Sequence, residues 1–370
     1  MYKIDVLMWR CYLPGARYCL DEELFCPLGW FNDFRLHSEK LLSLSLIRHD
    51  KNNMKNRKTT KLVTLLALFV ALGISLVSCK KDHNSNNDPD PVTVDYHQTA
   101  VTQFVSAGGT KYAYRVLGDK SGIPLVMVSS LGASMDDWDP AITNGLAQKY
   151  KVIIFDIQGV GTSDGKTPDN IADMAKGVVT FIKALGYSNV NLMGFSMGSF
   201  ITQQIILTEP ALVNKVILTG AGPKGSEGLS NLPTLLAAAA NLSPEDAFLR
   251  FAFTSSAESV SAGKLSWERS QKRTVNRDAP LSAESGAAEL SAVLGWAQPY
   301  PNALNELKTI TKPVLIVQGH DDIPVPVVNA INISKSIPNA QIVIYPDAGH
   351  AAFAQNPDEF LKDALGFLNK

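Results

Sequence analysis

The alternation of apolar and polar positions changes character several times along the chain. Residues 1–53 mix Trp, Cys and charged residues with no clear period. A basic stretch, Met54 to Lys61, then precedes an uncharged apolar run from Leu62 to Val77. Lys80 to about Gln98 is polar and rich in Asn, Asp and Pro. It holds too little apolar surface to fold and reads as a tether. From about residue 100, short apolar runs alternate with helical patterns.

That last region predicts an α/β domain. Thr102 to Val105 and Lys111 to Leu117 predict a hairpin about Ala107-Gly108-Gly109. Pro124 to Val128 and Lys151 to Phe155 read as strands buried on both faces. Val190 to Met193, Lys215 to Thr219, Pro313 to Gln318 and Gln341 to Tyr345 predict the others. Ile142 to Lys149 reads as a helix. Ile171, Met174, Ala175, Val178, Val179, Ile182 and Leu185 fall at helical spacing and stop at Gly186, a C-cap signal. Pro357 to Leu368 predicts a terminal helix. Such alternation argues for a mostly parallel sheet with helices on both faces. Residues 222–307 interrupt it with helical composition over a length far beyond an ordinary connection. They predict a helical lid insertion over the carboxyl edge of the sheet. The expected layout is a tether at 79–98, a core at 99–221 and 308–370, and a lid at 222–307.

Composition narrows the function classes. The chain has 370 residues, 45% hydrophobic and 19% charged, with a formal net charge of −1. No basic stripe with interleaved aromatics appears, so nucleic acid is not an expected partner. No CxxC pair and no His/Cys cluster at ligand spacing appears, so a structural zinc site is not expected. Cys11, Cys19, Cys26 and Cys79 are the four cysteines. None follows residue 79, which excludes a disulfide framework from the folded part.

The candidate chemistry centres on Gly194-Phe195-Ser196-Met197-Gly198, between the Val190 strand and an apolar helical run from Phe200 to Leu207. A serine on such a strand-to-helix turn has its hydroxyl exposed at the top of a sheet. Gly194 and Gly198 avoid side-chain collisions across the turn. A hydroxyl nucleophile near neutral pH needs a base. Of the six histidines, His37 and His49 precede the apolar run, and His83 and His97 fall in the tether. His320 and His350 remain, each after a strand, where open α/β sheets bind ligands. His320 shares its loop with Asp321 and Asp322, whereas His350 follows the last strand and is the better base. Between the two acids, Asp322 fits a Gly-x-x-Asp-x-x-Val-Pro spacing better than Asp321.

From about residue 110 to the end the chain resembles the α/β-hydrolase superfamily. The elbow carries this likeness together with Asp136-Asp137-Trp138-Asp139-Pro140, Phe155 to Ser163, and the Gly319 and His350 loops. The resemblance implies an eight-stranded sheet and a serine hydrolase with Ser196, Asp322 and His350 as its triad. It implies an oxyanion hole from the backbone N–H groups of Met197 and Leu131. The expected substrate is a small molecule with an acyl bond: an ester, thioester or lactone opened through an acyl-enzyme. A cofactor-free perhydrolase or carbon–carbon bond hydrolase would use the same residues, and a non-catalytic binding protein could retain them. Two positions depart from the pattern. Ser129-Ser130 stands where His-Gly is usual, and Gln158 stands where Arg is usual. Trp138, Phe195 and Phe353 lie nearest the expected chemistry and are expected to line the pocket. The lid aromatics Phe248, Phe251, Phe253, Trp267, Trp296 and Tyr300 are read as lid core.

The N-terminal region resembles a bacterial lipoprotein signal: basic residues from Met54, an apolar run, and Leu76-Val77-Ser78-Cys79. The run of about 16 residues is short of the roughly 20 that span a bilayer. The resemblance implies a signal peptide at 54–78, cleaved before Cys79, which is then acylated. More than one acyl chain gives stable attachment to a lipid membrane. The expected location is the bacterial cell envelope, with Lys80 favouring the outer membrane. Residues 1–53 then read as an upstream extension ahead of the initiator Met54.

Overall fold

The structure, a computed structural model, describes residues 94–370. The expectations for residues 1–53, the signal at 54–78, Cys79 and the tether as far as residue 93 lie outside the described residues.

Eight strands form one sheet: β1 (Gln103–Ala107), β2 (Thr110–Leu117), β3 (Leu125–Val128), β4 (Val152–Phe155), β5 (Val190–Phe195), β6 (Val213–Thr219), β7 (Val314–Gly319) and β8 (Ala340–Tyr345). Their spatial order is β1-β2-β4-β3-β5-β6-β7-β8. β2 pairs antiparallel with both β1 and β4, and every other pairing is parallel. The direction in which strands are added reverses at β3, between β4 and β5. Ligand sites of open α/β sheets form at such a switch point.

The two-residue period of the strands divides the core. Val126, Val128, Ile153, Phe155 and Leu192 face one side, where α3 (Ile171–Ala184) and α4 (Met197–Thr208) cover them. Leu125, Met127, Val152, Ile154 and Met193 face the other, beneath α2 (Pro140–Ala147) and α12 (Pro357–Leu368). α3 follows its predicted stripe. Asn170 caps it through the Asp173 amide, and Gly186, just past its end, takes φ +84°.

The inserted segment holds α5 (Leu232–Ala239), α6 (Pro244–Ala252), α7 (Ala257–Ser270), α8 (Ala283–Trp296) and α9 (Ala303–Leu307). Ser243, Ser256 and Ser282 cap α6, α7 and α8, each accepting from an amide of the first turn. Such caps contribute about 1 kcal/mol each.

Two expectations require correction, and one helix is new. The tether was drawn to residue 98, but Asp95 caps a short helix, α1 (Tyr96–Thr99), that packs on the domain. His97, assigned to the tether, is fully buried, with Nδ1 2.9 Å from Thr143 Oγ1. Arg273 of the lid donates to the carbonyls of His97, Gln98 and Ala100, which satisfies backbone that a tether would leave to water. The helix after the elbow begins at Met197 rather than Phe200, because the elbow residues already belong to its first turn. The helix between β7 and β8, α10 (Val327–Ser336), was not anticipated; among its residues Ala330 and Ile333 are the apolar ones fully buried.

Candidate active site

Ser196 sits between β5 and α4 with φ 53° and ψ −117°, a conformation few residues with a side chain adopt. Holding it costs about 1–3 kcal/mol, and the surroundings must impose it. They do so on both sides. The Ser196 amide donates to Thr219 O at 2.9 Å, and the Ser196 carbonyl accepts from Ser199 and Phe200. The two elbow glycines answer different neighbours. A Cβ at Gly194 would strike the Gly198 carbonyl across the turn. A Cβ at Gly198 would strike the Val128 carbonyl of the adjoining strand. Only the first collision was foreseen in the sequence.

His350 follows β8 and is 2% exposed. Its Nδ1 lies 2.8 Å from Oδ2 of Asp322, which is itself buried. Asp322 Oδ1 accepts from the Val325 amide at 2.8 Å, and Oδ2 also accepts from Gln318 Nε2 at 2.7 Å. The His350 ring is held between Phe195, at 5.0 Å between centroids, and the edge of Phe251 at 5.6 Å. Its Nε2 is buried and has no hydrogen-bond partner among the described residues. His320 and Asp321, the alternatives in the sequence, pair with each other at 3.0 Å on the exposed side of their loop.

Ser196 and His350 line one cavity of about 260 Å³. The loop after β3, Ser129 to Ser134, forms one wall, and Trp138, Phe195 and Phe353 form another. Lid residues complete it. Phe248, Phe251 and Trp267 face the cavity, contrary to their reading as lid core. Phe253 and Trp296 are core as expected: Phe253 packs on Phe248, and Trp296 stacks on Phe200 at 5.5 Å. Tyr300 is half exposed on the surface. The division follows the neighbour each ring meets: Trp296 meets Phe200 of the core, whereas Phe248, Phe251 and Trp267 meet the cavity.

Among the described residues, no Lys or Arg lines the cavity. Its two carboxylates are already engaged. Asp139 caps α2 and takes a forked bond from Arg269 at 2.7 and 2.6 Å. Asp137 accepts from the Ser134 amide, and burial raises its pKa.

The β3 loop is fixed on itself. Ser129 Oγ donates to the Ala133 carbonyl at 3.2 Å, and the Ala133 amide donates to Ser130 O. The departure from His-Gly therefore supplies its own brace. Leu131 lies between these ties and lines the cavity, and its amide has no acceptor among the described residues. Met197 opens α4, where first-turn amides lack an intrahelical acceptor. The second departure, Gln158, lies outside this cavity. Nearby Asp156 accepts from the Met135 and Thr162 amides, and burial with Asp278 alongside raises its pKa to about 8.

Two residues at the site were missed in the sequence. Gln318 ends the apolar run of β7 and joins Asp322 to the chain: its Nε2 donates to Asp322 and Val325 O, and its Oε1 accepts from the Ala221 amide. A lone amide side chain in a strand buried on both faces was the available signal, since a buried polar group needs partners. Glu289 of α8 is fully buried and accepts from the Gly132 amide at 2.7 Å. Burial raises its pKa to about 7, opposed by that one hydrogen bond. Nothing in the α8 pattern marked it out from a surface glutamate.

The model of the alpha/beta hydrolase fold family matches residues 123–357. A solved α/β hydrolase fold protein from Chitinophaga pinensis is 39% identical, with a TM-score of 0.72 over 74% of this chain and 99% of that one. An uncharacterised protein of Mycobacterium tuberculosis is 27% identical over 72% of this chain and 81% of its own length. The solved structure of Est816, an N-acyl homoserine lactone degrading enzyme, is 25% identical, with a TM-score of 0.55 over 72% of this chain and all of that one.

Proposed function

The chain belongs to the α/β hydrolase fold family, and from that membership we propose that it is a serine hydrolase opening an uncharged carboxylic ester or lactone. One observation carries the reading. A serine held in a strained elbow shares a cavity with a histidine whose Nδ1 is engaged by a buried carboxylate and whose Nε2 is unpartnered.

In this reading Ser196 Oγ attacks the substrate carbonyl carbon while its proton passes to His350 Nε2. The carbonyl electrons move onto oxygen, which the Leu131 and Met197 amides stabilise. Asp322 keeps the Nδ1–H tautomer in place and stabilises the imidazolium. Collapse of the intermediate breaks the bond to the leaving oxygen, which takes the proton from Nε2. Water then attacks the acyl-enzyme with His350 as base, releasing the carboxylic acid and restoring Ser196.

The cavity supports an uncharged substrate. Among the described residues a substrate carboxylate would meet no Lys or Arg there, and Asp137 and Asp139 lie in the wall. At about 260 Å³ the cavity is no larger than the smallest small-molecule sites, which run from roughly 300 to 1,000 Å³. This suits a short acyl chain. The likeness to an enzyme acting on an N-acyl lactone, itself uncharged, agrees with that class.

The test is labelling of the full chain by a fluorophosphonate, with hydrolysis of short p-nitrophenyl esters and acyl lactones followed alongside. Labelling that disappears in Ser196→Ala, together with turnover, is the expected result. Absence of labelling would remove the nucleophile, and labelling without turnover would point to a binding protein.

We further propose, from the sequence resemblance, that Cys79 carries the lipid that attaches the enzyme to the bacterial envelope. Cells fed a radiolabelled fatty acid should yield a labelled protein in the membrane fraction, and Cys79→Ser should be unlabelled. An unlabelled wild-type protein would refute this.

A further inference from the structure

We infer that Glu289 is a positioning residue of the hydrolytic reaction: from the lid it fixes the Gly132 amide, and so sets the neighbouring Leu131 amide where the oxyanion forms. The inference rests on the serine-hydrolase reading.

Glutamate is almost never fully buried unless paired. Glu289 is fully buried, yet Oε2 accepts only the Gly132 amide and Oε1 has no partner among the described residues. An apolar residue of similar size would serve the packing of α8 better, because no ion pair offsets the desolvation. What the carboxyl supplies is a tie from lid to loop. Gly132 has φ +82°, in the region that favours glycine, so the loop turns there through a conformation that other residues resist. The loop's own ties, Ser129 to Ala133 and Ala133 to Ser130, leave Leu131 and Gly132 otherwise unheld. Glu289 supplies the missing constraint beside the very residue whose amide the mechanism uses.

The helix that carries Glu289 is itself anchored. One turn earlier, Ser285 Oγ donates to the Gly159 carbonyl of the core at 2.7 Å. One turn later Val293 lines the cavity, and two turns later Trp296 Nε1 donates to Gly222 O. α8 thus touches core, oxyanion loop and cavity within three turns. A shift of the lid that moves α8 also moves the loop.

The experiment compares wild type, Glu289→Gln and Glu289→Met in the full chain. Gln keeps an acceptor for Gly132, whereas Met keeps the volume and loses the acceptor. The readouts are the second-order rate of fluorophosphonate labelling at Ser196 and the kcat and KM for a p-nitrophenyl ester. Small displacements of a reacting geometry cost on the order of 100-fold. Glu289→Met should therefore lower labelling rate and kcat by about 10- to 100-fold, with KM within about threefold. Glu289→Gln should recover both to within about threefold of wild type. Wild-type speed in the Met variant would overturn the inference, as would a Gln variant as slow as Met. If wild type itself fails to label, the nucleophile reading falls, and this inference with it. If Glu289→Met does not fold, amide hydrogen exchange of wild type decides. Protection at Gly132 supports the tie, and free exchange there overturns it.

Discussion

Replacing Asp322 by Asn probes the proposed triad most sharply, because that carboxylate serves three donors at once. Oδ1 takes the Val325 amide, and Oδ2 takes Gln318 Nε2 and His350 Nδ1. An asparagine offers one oxygen and one NH2, so some donor must face another donor. With the oxygen toward His350, only the Val325 amide is opposed. With the amide flipped, both Gln318 and His350 are opposed, and the imidazole is driven to the tautomer that cannot act as base through Nε2. The first arrangement wins on donor count, at a cost of about 1–3 kcal/mol for the unsatisfied buried amide. For a domain of this size each kcal/mol lowers Tm by about 2–4 °C. The larger consequence is chemical. Even with the tautomer kept, the imidazolium loses its anion. In Ser-His-Asp enzymes the Asn substitution lowers kcat by about 10⁴, largely through the wrong tautomer. Here the favoured arrangement keeps the tautomer, so kcat should fall by about 10² to 10⁴, with KM little changed. Stopped assays of short-chain p-nitrophenyl ester hydrolysis across pH, alongside thermal melting, measure both quantities. A kcat within tenfold of wild type in a folded Asn variant would refute the role given to Asp322.

The remaining predictions concern other parts of the fold. Gly198→Ala places a methyl against the Val128 carbonyl, which belongs to the strand beside the elbow. Soluble expression or fluorophosphonate labelling should therefore be lost, and a fully active variant would contradict the close approach. Asp136 is buried against Arg115, with Arg273 Nε at 3.6 Å, and takes the Asp278 amide. Asp136→Ala strands two arginines and should cost about 3–5 kcal/mol in chemical denaturation. Burial lowers the His97 pKa to about 4 from 6.5. The folded state therefore binds fewer protons than the unfolded state between those values. The stability this supplies is complete above pH 6.5 and is lost as pH falls toward 4, by about 3 kcal/mol at most. Urea titrations should show His97→Gln losing less over that window than wild type, and identical slopes would refute the assignment. Filling the cavity by Val293→Trp should raise KM for longer acyl esters before shorter ones, and an unchanged chain-length profile would place the acyl group elsewhere.

Much of the core was legible because its signals are local. The α3 stripe, the Gly186 stop and the apolar runs of β3, β4 and β7 each declare themselves within a few residues. Pro357–Leu368 agrees with its predicted span because a proline opens the helix and an amphipathic face continues it. Boundaries failed where a tertiary partner decides. Val94 to Gln98 looks like tether in composition, yet Arg273, far along the chain, gathers its carbonyls. Phe248, Phe251 and Trp267 were misread for a related reason, since spacing on a helix does not say which neighbour the face will meet.

Sequence alone determined the elbow, the order of Ser196, Asp322 and His350 along the chain, and a sheet able to present them. Each is a matter of residue type and strand ends. It did not determine that Gln318 steadies Asp322, that Arg273 secures the N-terminal segment, or that Glu289 reaches the Gly132 amide from a helix 157 positions away. A hydrogen bond acts over about 3 Å, and no periodicity along the chain encodes which distant groups the fold will bring to that distance. The elbow is a local statement; the set of groups gathered around its serine is a tertiary one.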